Sequence, residues 1–102
     1  MDNNVEIGKV YRHFKNGYNL VIAVGKYFDG DEIDVVYKGL NNGQIYIREI
    51  NSFNDIVENS LGVKVPRFVL DESAKAKSLI KDEDWELIEK YKGFLLKEPE
   101  LG

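Results

Sequence analysis

Residues 18–28 read Tyr-Asn-Leu-Val-Ile-Ala-Val-Gly-Lys-Tyr-Phe, the most apolar stretch of a 102-residue chain. Val21, Ile22, Ala23 and Val24 form an unbroken apolar run, suited to a strand buried on both faces in the middle of a sheet. Gly25 inside the stretch predicts a bulge or bend, the device by which a sheet curls toward a barrel.

Turn signals flank this strand on both sides. Toward the N-terminus, Asn16-Gly17 is a hairpin turn that leads back to a strand over residues 8–14 (GKVYRHF). Period-two alternation there places Val10 and Arg12 on one face, with Tyr11 and His13 on the other. Toward the C-terminus, Asp29-Gly30-Asp31-Glu32 precedes a strand over 33–40 (IDVVYKGL). Asn41-Asn42-Gly43 then precedes one over 44–50 (QIYIREI), with Ile45, Ile47 and Glu49 opposite Tyr46, Arg48 and Ile50. The spacing predicts an antiparallel meander, bent or closed at its edges.

Beyond residue 51 the period changes. Ser52 is placed to cap a helix over 53–59, with Phe53, Ile56 and Val57 at i, i+3 and i+4 and Gly62 to stop it. Residues 63–70 (VKVPRFVL) return to strand, and Pro66 confines that strand to an edge or a strand start. From Asp71 the composition shifts to Lys, Glu and Leu, with a linker or short helix over 71–80. A longer helix is expected over about 83–92, capped by Asp82 and ended by Gly93. Its stripe Trp85, Ile88, Tyr91 and Leu95, widened by Leu87 and Phe94, is expected to be core or interface. The domain expectation is a β-rich unit over 1–70 and a helical extension over 71–102, packed on the same unit or on a neighbouring subunit. The fold class is α+β, a small strongly bent antiparallel sheet.

Composition removes several functions. There is no cysteine and a single histidine, His13, so thiol nucleophiles, zinc–thiolate centres and multi-histidine metal sites are excluded. The net charge of −4 disfavours duplex DNA, which needs a counterion-releasing basic surface. Residues 52–102 carry the acid excess, and all three arginines lie in the β part. No apolar run reaches the roughly 20 residues of a membrane span, and a cytoplasmic location is expected. No serine lies near His13 in sequence, the acidic turn lacks the spacing of a calcium loop, and the glycines form no phosphate loop. No enzyme activity and no cofactor are expected.

One cluster is both polar and aromatic: Tyr11-Arg12-His13-Phe14-Lys15. Alternating cations and rings can pair a phosphate while stacking a base. The plain alternative is that these arginines pair with Asp29, Asp31, Asp34 or Glu49, and that His13 is a packed strand residue opposite Tyr18.

Gly8-x-x-Tyr11-Arg12-His13-Phe14-Lys15, Tyr18, Val35-Val36-Tyr37-x-x-Leu40, Arg48, Phe53, Val57 and Gly62-x-x-Val65-Pro66-Arg67-Phe68 together resemble the bacterial and phage family called domain of unknown function 1653, over residues 8–68. The chain departs from the family after Ala23, where Val24-Gly25-Lys26-Tyr27 replaces a histidine and small polar residues, and at Glu49, where the family has proline. The resemblance implies a bent sheet of the Src-homology (SH3-like) barrel type with no known activity. The motif positions it marks as ligand-binding candidates are Tyr11, Arg12, His13, Phe14, Lys15, Tyr37, Arg48 and Arg67. In size and style the chain also resembles phage anti-defence proteins that act as nucleotide sponges, oligomers that sequester cyclic nucleotide signals.

The leading expectation is therefore a non-catalytic module for a small anionic ligand, most sharply a cyclic nucleotide held by a homo-oligomer, in the host cytoplasm if phage-encoded. The alternatives are a protein-interaction or inhibitor module that uses the acidic helical face, and a barrel that binds single-stranded nucleic acid.

Overall fold

The computed structural model describes residues 5–15, 17–26 and 31–95, with side chains through Tyr91 in the last helix. A five-stranded antiparallel sheet has the order β4-β3-β2-β1-β7. Its strands are β1 (Val10–His13), β2 (Gly17–Lys26), β3 (Ile33–Gly39), β4 (Ile45–Glu49) and β7 (Phe68–Leu70). Helix α1 (Ile50–Phe53) and a separate hairpin, β5 (Ile56–Glu58) with β6 (Lys64–Pro66), interrupt the sheet between β4 and β7. Two short connected elements, α2 (Ala74–Ser78) and α3 (Asp82–Leu95), complete the α+β fold. The sheet is bent but not closed into a barrel, because β4 and β7 end it without pairing to each other.

The bend sits at Ile22 and not at Gly25. Val21 pairs with Tyr37 and Ala23 with Val36, so Ile22 is an extra residue in β2. The insertion lets Ile22 and Ala23 join one core with Val10, Leu20, Val36, Ala76 and Ile88, under α2 and α3. Val21 joins a second core on the opposite face, with Tyr11, Val35, Tyr37, Ile50, Phe53 and Phe68. β2 is thus buried on both sides, as its unbroken apolar run requires. The segment after residue 70 covers the chain's own sheet.

The helix expected over 53–59 is not formed. Phe53 is the last residue of α1, and the cap is the Glu49 carboxylate, which accepts from the N–H groups of Asn51 and Ser52 at 3.0 and 3.2 Å. Ile56 and Val57 lie instead in β5, held by pairing to β6 across the turn at Gly62, whose φ of 75° suits glycine. The strand expected over 63–70 is broken in two at Arg67. Its N–H donates to the Asp55 carbonyl and its Nε to the Ser52 carbonyl, both near 2.9 Å. Long-range hydrogen bonds to one arginine thus outweigh a local periodicity.

Asp82 opens α3 and does not precede it, and the helix continues through Gly93 to Leu95. The stripe is only partly buried. Ile88 is inside and Tyr91 packs at the edge of the core, but Trp85 is 47% exposed, its ring laid against Gly8. The expected roles of Phe94 and Leu95, and the turn residues Asn16, Asp29 and Gly30, fall outside the described side chains. What locks α3 to the sheet is polar. Asp84, 1% exposed, accepts from Lys38 Nζ at 2.5 Å and from the Lys81 N–H at 2.9 Å. Burial pushes the Asp84 carboxyl up, but these donors outweigh it and hold its pKa below the ordinary carboxylate range.

Two stability measurements follow. Ile88→Ala is expected to cost about 2–4 kcal/mol and Trp85→Ala about 1 kcal/mol, because only the former empties a closed core. Calorimetric melting should reproduce that ranking. Asp84→Asn should cost about 3 kcal/mol by leaving Lys38 half-buried and unpaired. A depressed carboxylate pKa contributes stability above its unfolded value near 4, lost as pH falls through the folded value, so Asp84→Asn should flatten the acid limb of the stability profile.

Candidate ligand-binding site

Period-two geometry divides the cluster Tyr11-Arg12-His13-Phe14-Lys15 between the two faces of the sheet. Arg12 lies on the helix-covered face, where its Nε sits 3.7 Å from the Asp71 carboxylate. Tyr11 and His13 lie on the other face, where the chain forms an open cleft of about 340 Å³. Two of the residues that line this cleft are glycines and leave it room. Asn19 pairs with Gly39 and His13 with Gly17 across adjacent strands, and all four line it. A Cβ on Gly17 would meet nothing within 4 Å. A Cβ on Gly39 would stand 2.4 Å from Asn42 Oδ1, so glycine there lets the Asn42 turn fold back over the strand.

The walls are aromatic and cationic. Tyr37 and Tyr46, paired between β3 and β4, stack with ring centroids 5.4 Å apart. Asn42 Nδ2 donates to the Tyr46 hydroxyl at 2.8 Å. Arg48 Nε donates to the Tyr37 hydroxyl at 3.2 Å and its Nη1 to Ser52 Oγ at 3.1 Å, which fixes the guanidinium at the end of β4 without a carboxylate partner among the described residues. Lys15 and His13 complete the rim. Its lining includes no Asp or Glu.

His13 is packed between Phe14 and Phe68, with centroids 4.7 and 4.9 Å away, and lies opposite Gly17 rather than Tyr18. The Lys15 N–H donates to its Nδ1 at 3.2 Å, which leaves the ring proton on Nε2 in the neutral form. Burial pushes the His13 pKa down, and the charges of Arg48, Arg67 and Lys15 push it the same way. Arg48, Arg67 and Lys15 thus place positive charge around the imidazole in a chain of net charge −4.

Of the eight candidate residues, the cleft gathers His13, Lys15, Tyr37 and Arg48. Tyr11 is buried beneath it, its hydroxyl accepting from the Glu6 N–H at 3.0 Å and its ring edge-on to Phe53. Phe14 packs on His13 beside the cleft, with Lys15 Nζ 5.7 Å above its ring. Arg67 stays at the α1 side, bonded to Ser52 and 4.0 Å from Asp55, and contributes only its charge. Among the described residues, no arginine pairs with Asp31, Asp34 or Glu49; Asp29 lies outside them. Tyr46, Asn42, Gly17 and Gly39 are additional lining residues. Tyr46 shares the strand face of Arg48, so the alternation of residues 44–50 carried that signal; Asn42 and the glycines read only as turn and strand residues. Among the described residues no His, Asp and Glu gather as a metal site, and no helix is long and apolar enough to cross a membrane.

The comparisons bear on this half of the chain. A crystal structure of a protein from Bordetella bronchiseptica, itself assigned to DUF1653, superposes with a TM-score of 0.55 at 29% identity, covering 64% of this chain and 85% of that one. No curated protein matches. The family model described as Protein of unknown function (DUF1653) matches residues 9–70, which span β1 to β7 and every residue that lines the cleft. The chain belongs to the DUF1653 family.

Proposed function

We propose that the protein is a non-catalytic binding module whose cleft takes a small organic anion, a phosphate ester carrying an aromatic base. The observation that carries this reading is a cleft rimmed by His13, Lys15 and Arg48 and lined by no carboxylate, in an acidic chain. A guanidinium held on its Tyr37 and Ser52 sides keeps its remaining N–H groups for a phosphate oxygen. The neutral His13 offers Nε2–H beside it. The Tyr37–Tyr46 stack supplies a π-face for a base.

At about 340 Å³ the cleft stands at the small end of ligand sites, a size for one nucleotide unit. The sharpest form of the proposal is sequestration of a cyclic nucleotide signal, as phage sponge proteins do, in the cytoplasm of the host. The His13 Nδ1 is occupied by the Lys15 N–H, and the lining has no carboxylate to act as a base, which supports release of the ligand unchanged.

Titration calorimetry with a cyclic mononucleotide tests the reading. Arg48→Ala should weaken binding roughly tenfold to a hundredfold, the worth of one charge-assisted bond, and Arg48→Lys should restore only part of it. Gly17→Leu should fill the cleft and abolish binding while leaving the melting temperature close to the parent's. Arg12→Ala, on the other face, should leave affinity unchanged. Absence of any binding heat with the parent protein, or full affinity in Gly17→Leu, overturns the proposal.

The depressed His13 pKa adds a second test. A base that protonates less readily when folded contributes stability above its unfolded value near 6.5, and this is lost as pH falls below that value. The unliganded protein should therefore lose melting temperature as pH falls below about 6.5, and His13→Gln should remove that part of the slope. A cyclic phosphodiester, whose own charge is constant in this range, should offset the loss.

A further inference from the structure

β4 is an edge of the sheet, and among the described residues one row of its backbone groups faces no strand. The Gly39 N–H donates to the Gln44 carbonyl at 2.8 Å, and the register continues through Tyr37–Tyr46 and Val35–Arg48. Residues 44, 46 and 48 thus turn their backbone groups toward β3, and Ile45, Ile47 and Glu49 turn theirs outward. No strand among the described residues receives them. The strand contains no lysine, proline or glycine, no bulge interrupts its pairing to β3, and its two charged side chains are engaged within the chain, Arg48 with Tyr37 and Ser52 and Glu49 with the start of α1. Ile47 is 63% exposed, and Ile45 is exposed beside it.

We propose that β4 pairs antiparallel with β4 of a second copy of this chain, about a two-fold axis at Ile47. The occupant follows from the sequence of the strand. Centred on Ile47, the pairing sets Ile47 against Ile47 and Ile45 against Glu49 through the outward backbone groups. The Glu49 carboxylate is turned back onto α1, so its backbone and not its charge meets the isoleucine. Between these pairs, Tyr46 of each copy faces Arg48 of the other at a position where side chains approach closely. A guanidinium against a tyrosine ring is a favourable contact, and it occurs twice by symmetry. Shifting the register by two residues either way puts Arg48 against Arg48 or Tyr46 against Tyr46 and loses one or both of these contacts. The other edge, β7, has only three residues, and pairing β4 to it would build an open chain of molecules rather than a closed dimer.

Tyr46 and Arg48 line the cleft, so the axis brings two clefts edge to edge across one continuous sheet. Each copy then extends its neighbour's site with a tyrosine and an arginine, and the joined groove is of a size for a ligand with two phosphates and two bases. The pairing itself rests on the edge geometry and not on the identity of any ligand.

Sedimentation velocity and native mass spectrometry of the full chain test it. The parent protein should be a dimer. Ile47→Lys, which changes a residue exposed in the single chain, should weaken dimerisation about a hundredfold or more by setting two ammonium groups against each other, with an unchanged circular dichroism spectrum. Ile47→Val should remain dimeric, and so should Val69→Lys on β7. A monomeric parent at the highest soluble concentration, an Ile47→Lys protein as dimeric as the parent, or dissociation by Val69→Lys overturns the inference. Phosphate-ester binding by a monomeric Ile47→Lys protein would overturn neither this interface nor the cleft, whereas its absence in a dimeric parent would sink the ligand reading alone.

Discussion

The extra residue at Ile22 is the constraint from which the rest of the structure follows. A regular strand alternates its side chains, so an apolar run such as Val21 to Val24 would send Ile22 one way and Ala23 the other. The insertion places both in the core under α2 and α3 while Val21 faces the core around Phe53. It also realigns β2 against β3, so that Val24 meets Val35 and the sheet bends at its most buried point. One residue thus serves two apolar layers, which a sheet this small could not otherwise fill from a single central strand.

The two layers divide the labour. One face is closed by helices, pinned by Asp84 on Lys38 and packed by Ile88. The other is closed where α1 lays Phe53 on Phe68, their rings 4.0 Å apart and nearly parallel, and where Val5 and Ile7 pack against the same core. Past that stack, glycine and asparagine on β2 and β3 leave the same face hollow. The aromatic core runs directly into the wall of the cleft, since Tyr37 touches Phe53, Phe68 and Tyr46 in turn. The residues that stabilise the fold therefore also set the angle at which the cleft presents its rings, and a rigid wall of this kind is what lowers the entropic cost of holding a ligand.

Most of the sheet was legible because turns and alternation are local signals. Asn41-Asn42-Gly43 and residues 33–40 and 44–50 fall where those signals place them. What failed was decided by distant atoms. Phe53, Ile56 and Val57 have helical spacing, yet β6 pairing and the two bonds from Arg67 draw the chain into a hairpin. Trp85 has core spacing, yet it meets the chain before β1, at Gly8, and stays 47% exposed. At the site, alternation already separated Arg12 from His13, while sequence adjacency grouped them. Strand parity was the better guide, and it also tied Tyr46 to Arg48. No local signal shows that Gly17 and Gly39 line one cleft, each opposite a different partner, because a cavity is a property of neighbours that sequence order does not list.

The layer of helices has a consequence for where this molecule can be divided. The family match ends at residue 70, but Leu20, Ile22, Ala23 and Val36 share their core with Ala76 and Ile88, and Ile80, Leu87 and Tyr91 pack against it, all of which come after that point. A fragment cut at the family boundary would keep every atom of the cleft and expose a broad oily surface on its back, which invites aggregation.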